Sequence, residues 1–191
     1  MLIAFYSDTP GCGKTSAAEY LRVKHYFYRM SFASVMNAMV EPLLEAFDYD
    51  IDEIDTPELK NKPLDRLPSA PSLRLLKQTL GTEWGRKLID KDIWVSSMLY
   101  RIDKIQRRHL NSHVVIDDMR FPNEYAALEG LPDARLVKLH RDVDFKASIE
   151  VIKHSSNGAL AGYDFPYNIT NNGSMQDFFE QLDQLLLTPP D

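Results

Sequence analysis

The sequence predicts a three-layer α/β fold with a mainly parallel sheet flanked by helices, and three observations predict it. Short apolar runs such as "LIAFYS" and the start of "VVIDD" have the habit of strands buried on both faces, as parallel sheets require. Stretches whose apolar residues recur at helical spacing alternate with these runs. The first run passes through a glycine-containing loop straight into a helical pattern, the βα step from which open α/β sheets are wound.

Element by element, "LIAFYS" reads as the first buried strand, and Gly13 to about His25 as a helix with Ala17, Ala18 and Leu21 on one face. A short strand in "FYRMSF" precedes Val35, Met36, Met39, Val40, Leu43, Leu44 and Phe47, which are spaced for a helix. From Asp48 to Pro71 the chain is first acidic and then punctuated by Pro57, Pro63, Pro68 and Pro71, so an insertion or mobile cover is expected there. Helical periodicity resumes at Leu73, Leu76 and Leu80 and pauses at Gly81. It returns in "DIWVSSMLYRIDKIQRR", with Asp92 placed to cap it. "HVVIDD", "ARLVKLH" and "YNIT" supply three further strands, and the amphipathic "SMQDFFEQLDQLLL" closes the chain. No internal repeat interrupts the pattern, so residues 1–191 are expected to form one domain with an insertion at about 48–71.

Composition narrows the chemistry. A formal net charge of -6 argues against a protein that coats nucleic acid, because that requires a clustered basic surface to displace counterions. Cys12 is the only cysteine, which excludes an intrachain disulfide and suits a reducing compartment. The first residues carry no basic leader and are too short an apolar run to span a bilayer, so a soluble, cytoplasmic protein without a membrane partner is expected.

The stretch "DTPGCGKT" matches the phosphate-loop template at Gly13, Lys14 and Thr15, with Asp8 where the first glycine usually stands. Backbone N–H groups from Gly11, Cys12, Gly13, Lys14 and Thr15, with Ser16 beside them, are placed to surround a nucleotide phosphate. Lys14 would bridge the β- and γ-phosphates of ATP, and the Thr15 hydroxyl would ligate Mg2+. The Asp8 carboxylate is positioned to cap the turn or to reach magnesium through water. Cys12 lies at a helix N-terminus, where the dipole favours a thiolate, yet a small residue also simply fits a tight loop.

Asp117 and Asp118 end a buried strand at the edge where open α/β sheets bind ligands, so one of them is expected near magnesium or as a base toward an acceptor. Adjacent strand residues point opposite ways, so only one of the two can face the metal. Arg120 projects from the same edge. Arg74, Lys77, Arg86 and Lys87 gather in "RLLKQTLGTEWGRK" as a receptor for a second phosphorylated ligand.

The succession of phosphate loop, "SFASVMNAM", "LLKQTLGTEWGRKLIDKDIWV", "VVIDDMRFPNE", "VKLHR" and "ITNNGSMQDFFEQL" resembles the deoxynucleoside monophosphate kinases of tailed phages over most of the chain. The resemblance implies a P-loop NTPase fold of nucleotide-kinase type and transfer of the γ-phosphoryl group of ATP to a deoxynucleoside 5'-monophosphate, in the host cytoplasm. On the matching positions, it implies that Lys14 and Thr15 contact ATP and magnesium, that Arg86 and Arg120 hold the acceptor, and that Gln78 reads its base. It also makes Arg141 similar to a lid arginine, heading a lid-like segment at about 141–165, and places Asn171 and Asn172 near the adenine. Lys14, Asp118, Arg120 and Arg141 then form the expected catalytic set; Arg74, Gln78, Arg86 and Arg120 bind the acceptor; Thr15 and Asp117 are the magnesium positions. Asn37 stands where the family often has a lysine, and "KHSSNGALAG" lacks a glutamate found there. The partners are small molecules, and a homodimer is compatible with the sequence. Two other readings are a small-molecule kinase resembling dephosphocoenzyme A kinases and a P-loop ATPase switch with no second substrate.

Overall fold

Strand β1 (Leu2–Tyr6) is buried along its whole length and lies at the centre of a sheet ordered β2-β3-β1-β4-β5, in which every pairing is parallel. The other strands are β2 (Tyr28–Met30), β3 (Val114–Ile116), β4 (Ala134–His140) and β5 (Tyr167–Thr170). The structure is a computed structural model, and it describes residues 1–142 and 158–188. The chain divides into two compact units, one comprising Met1–Ser31 with Leu99–Asp191, the other Phe32–Met98.

The first unit contains the sheet. Side chains alternate along β1, so Ile3 and Phe5 enter a core with Ala17, Ala18 and Leu21 of helix α1 (Lys14–His25) and Phe178, Leu182 and Leu185 of helix α7 (Met175–Leu187). Tyr6 points the other way and stacks on Phe165, with ring centroids 5.3 Å apart. Tyr125 of helix α6 (Pro122–Glu129) meets the edge of the same Phe165 ring and donates its hydroxyl to the Asp164 carbonyl at 2.8 Å. These helices flank the mainly parallel sheet in the layers that the buried strands and amphipathic stretches predict. Ser174 caps α7 by accepting from the Asp177 N–H, while the Asp177 carboxylate accepts from the Ser174 N–H.

The second unit is built on helix α2 (Ala33–Glu45), whose Val40 and Leu44 pack with Leu73 of helix α4 (Leu73–Gln78). The expected mobile cover at 48–71 includes a single turn, α3 (Ile51–Ile54), and contributes Ile51, Leu64 and Leu67 to this core. The prolines prevent long regular elements, but the apolar residues between them remain free to bury. At Gly81 the helix does not pause. It continues from α4 as a π-helical stretch, Thr79–Ile89, in which the Asp90 N–H donates to the Gly85 carbonyl five residues back at 3.0 Å. Helix α5 (Ile93–Arg108) starts just past Asp92, in this unit, and ends in the first.

Candidate active site

The carboxyl ends of β3, β1 and β4 lie side by side, and the segments leaving them carry the residues with chemistry. After β1 the chain forms the loop Ser7–Gly13, in which Gly11 and Gly13 adopt φ of 77° and 102°. Only glycine takes these values without strain, so backbone N–H groups turn inward ahead of α1. Asp8 is not among the residues with positive φ, so this position does not require the glycine of the usual pattern. Lys14 folds back and donates to the Ser7 hydroxyl. Burial lowers its pKa from the ordinary lysine value, and the Arg120 guanidinium adds to that fall, while Cys12, Asp117 and Asp118 pull the other way. Lys14, Asp117, Asp118 and Arg120 therefore share one electrostatic neighbourhood, as the strand-end reading requires.

The two aspartates differ. Asp117 is 8% exposed, and its Oδ2 accepts from Arg29 Nε at 3.0 Å and Nη2 at 2.5 Å. A carboxylate already neutralised by an arginine makes a poor direct ligand for magnesium, which weighs against the position assigned to Asp117. Asp118 is half-exposed at the same strand end. The Thr15 hydroxyl is exposed in the first turn of α1, and hydroxyl and carboxylate oxygens are the hard donors that magnesium prefers. Among the described residues no cluster of three or more His, Cys, Asp or Glu could hold a metal ion.

Arg120 is exposed at the β3–α6 turn, and the buried Glu124 carboxylate fixes that turn. Its Oε2 accepts from the N–H groups of Arg120 at 2.8 Å and Phe121 at 3.1 Å. Glu124 is absent from the residues that the sequence motifs single out. The signal was present, since proline at the first helical position and glutamate two residues on mark a helix start. Arg141 donates from Nη1 to the Gly11 carbonyl at 3.2 Å, so it reaches the phosphate loop. Most of the lid-like segment that it heads, residues 143–157, lies outside the described residues.

Three residues expected near the nucleotide also have structural partners. Cys12 is 1% exposed and packs in the core with Phe5 and Phe178, and its thiol lies 2.9 Å from the Thr9 hydroxyl. It fills space beneath the loop and does not present a reactive thiol. Asn171, 6% exposed, donates to the Cys12 carbonyl at 3.1 Å and so supports the loop from below. A Cβ on Gly13 would sit 2.6 Å from its Nδ2. Asn172 is exposed but bonds Asp142 twice, at 2.6 and 2.8 Å.

Arg74, Gln78 and Arg86 belong to the second unit. Arg74 and Gln78 are four residues apart on α4 and therefore share a face. Arg86 is half-buried on the π-helical stretch beside Gly85. Lys77 of α4 pairs with Asp55 at 2.7 Å, and Lys87 with Glu83 at 2.8 Å.

Over 184 residues the chain is 27% identical to a putative deoxynucleotide monophosphate kinase of Acanthamoeba polyphaga mimivirus, an alignment covering 90% of this chain and 89% of that protein. That relative is viral but does not come from a phage. No protein-family model matches the sequence. In three dimensions the chain is similar to a dephospho-CoA kinase from Campylobacter jejuni, with a TM-score of 0.50, 12% identity, and 98% and 96% of the two chains covered. It is also similar to TT1252 from Thermus thermophilus, with a TM-score of 0.53, 14% identity and the same coverage, 98% and 96%. The fold is that of the P-loop kinases. Fold and sequence relative together support a kinase acting on a nucleotide or another small molecule. No helix among the described residues is long and apolar enough to cross a membrane.

Proposed function

We propose that this protein transfers the γ-phosphoryl group of ATP to a deoxynucleoside 5'-monophosphate, giving the diphosphate and ADP. The observation that carries the reading is the loop with Lys14 turned back beneath it, sharing an edge with Asp118 and Arg120. Phosphoryl transfer asks mainly for positioning and charge neutralisation, and this edge supplies backbone donors, a lysine and an arginine for that purpose. The acceptor class rests on the relative that spans nearly the whole chain and on the "LGTEWGR" and "DDMRFPNE" blocks.

In this reading the loop N–H groups hold the β-phosphate and Lys14 moves from Ser7 to the transferring phosphoryl group. Thr15 and Asp118 would hold magnesium, which neutralises phosphate charge when it is bound with ATP. Arg141, already at Gly11, neutralises charge developing on the phosphoryl oxygens. Arg120 holds the acceptor phosphate. The resemblance makes Arg74, Gln78 and Arg86 further candidates for acceptor recognition. The enzyme is proposed to be cytoplasmic.

The test is an ADP-release assay with ATP and magnesium against each common nucleoside monophosphate in both sugar forms, with dephosphocoenzyme A in parallel. Turnover that depends on one or more deoxynucleoside monophosphates is expected. ADP release stimulated by dephosphocoenzyme A alone would move the acceptor to that class, and release indifferent to every acceptor would make the protein an ATPase.

A further inference from the structure

Asp8 replaces a glycine of the phosphate-loop pattern, and its carboxylate is engaged at both oxygens. Oδ1 accepts from the Tyr6 hydroxyl at 2.7 Å, and Oδ2 lies 2.8 Å from Lys138 Nζ. Lys138 is the register neighbour of Tyr6 on β4, so both side chains stand on the same face of the sheet. Its ammonium lies 5.7 Å from the centre of the Tyr6 ring and 6.0 Å from that of Phe165, and it reaches the Ala161 carbonyl at 3.4 Å. One lysine, whose side chain is only 12% exposed, thus joins the first residue of the loop, strand β4 and the segment Gly158–Phe165.

We propose that Asp8 and Lys138 are a positioning pair that holds the phosphate loop in its ATP-binding shape, a role that rests on the kinase reading above. A glycine at this position would remove the side-chain tie between the loop and strand β4. The aspartate instead anchors the loop to a lysine that the aromatic pair Tyr6 and Phe165 holds in place, and a loop fixed before binding does not lose that freedom when ATP arrives. The same geometry commits both Asp8 oxygens to Tyr6 and Lys138, which argues against a role in holding magnesium. Burial works to raise the Asp8 pKa, but the hydrogen bonds from Lys138 and Tyr6 and the charges of Lys138 and His140 outweigh it and leave the carboxyl below the usual aspartate value. The carboxylate is therefore ionised, and the pair intact, at neutral pH.

The experiment is a double-mutant cycle of Asp8→Asn and Lys138→Met, with Lys138→Arg as the charge-keeping control. Direct ATP titration, KM for ATP and for the acceptor, the magnesium midpoint and Tm are measured on each protein. Each single change should weaken ATP binding by roughly threefold to tenfold, the size of one charge-assisted contact acting indirectly. The double variant should be no weaker than the worse single, and Lys138→Arg should stay near wild type. The magnesium midpoint and the acceptor KM should not move. Additive losses, unchanged ATP binding in both singles, or a raised magnesium midpoint with Asp8→Asn would each overturn the pair. A fall in Tm with unaltered ATP binding would make it a structural contact only, which also overturns the proposal. Direct titration needs no acceptor, so an error in the acceptor class leaves this test intact. Failure of wild-type protein to bind ATP would instead remove the kinase reading itself.

Discussion

Glycines shape both candidate ligand regions, for opposite reasons. At the phosphate loop they give the backbone conformations that other residues resist, with φ of 77° at Gly11 and 102° at Gly13. On the π-helical stretch they give room. A Cβ on Gly85 would lie 2.4 Å from Trp94 Cζ2, one on Gly81 would lie 2.7 Å from Met36 Sδ, and Trp94 Nε1 donates to the Gly81 carbonyl at 2.8 Å. The loop is thus defined by torsions, and its proposed function rests on main-chain donors. The stretch is defined by side chains packed against it, and its function resides in whichever of its own side chains that packing turns outward. A local pattern can announce the first kind of site, whereas the second depends on which distant residues come to rest on the helix.

The comparison breaks first at Lys14. If the loop region carries the chemistry, Lys14→Met should lower kcat by roughly a hundredfold to a thousandfold, the loss typical of a group acting on the transition state. Tm should change little, because among the described residues the side chain's hydrogen bond is to a loop hydroxyl. Near-normal turnover in a steady-state assay would place the chemistry elsewhere.

Arg86→Ala and Arg120→Ala sharpen the division between donor and acceptor. Each should raise the acceptor KM by about tenfold to a hundredfold, as expected for loss of a charge-assisted bond to an anion, and leave the KM for ATP nearly unchanged. Initial-rate measurements with each substrate varied separately decide it. Weaker ATP with an unaltered acceptor KM would reverse the assignment of the two regions.

The smallest expected effect tests the packing claim. Gly85→Ala forces a methyl group into the Trp94 ring and should cost about 1–3 kcal/mol, the usual range for overpacking. Urea unfolding followed by tryptophan fluorescence should register it, because Trp94 is buried at the contact. An acceptor KM that rises while direct ATP titration stays constant would tie this packing to the second ligand. An unchanged unfolding midpoint would mean that the helix can shift to make room.

The sequence alone determined the elements whose signal is local. The buried run of β1, the Ala17, Ala18 and Leu21 face of α1, the strands ending at Ile116 and His140, and the amphipathic α7 are legible because period and composition are written in neighbouring residues. The phosphate loop is legible for the same reason. Tertiary structure alone decided the partners. Arg29 pairs with Asp117 across 88 residues, Arg141 reaches Gly11 across 130, and Asn171 supports Cys12 across 159. The ion pair of Asp8 with Lys138 exists only because β4 lies beside β1 in the register that sets Lys138 against Tyr6. A shift of one residue would turn Lys138 to the opposite face, and no local pattern in either segment specifies that alignment.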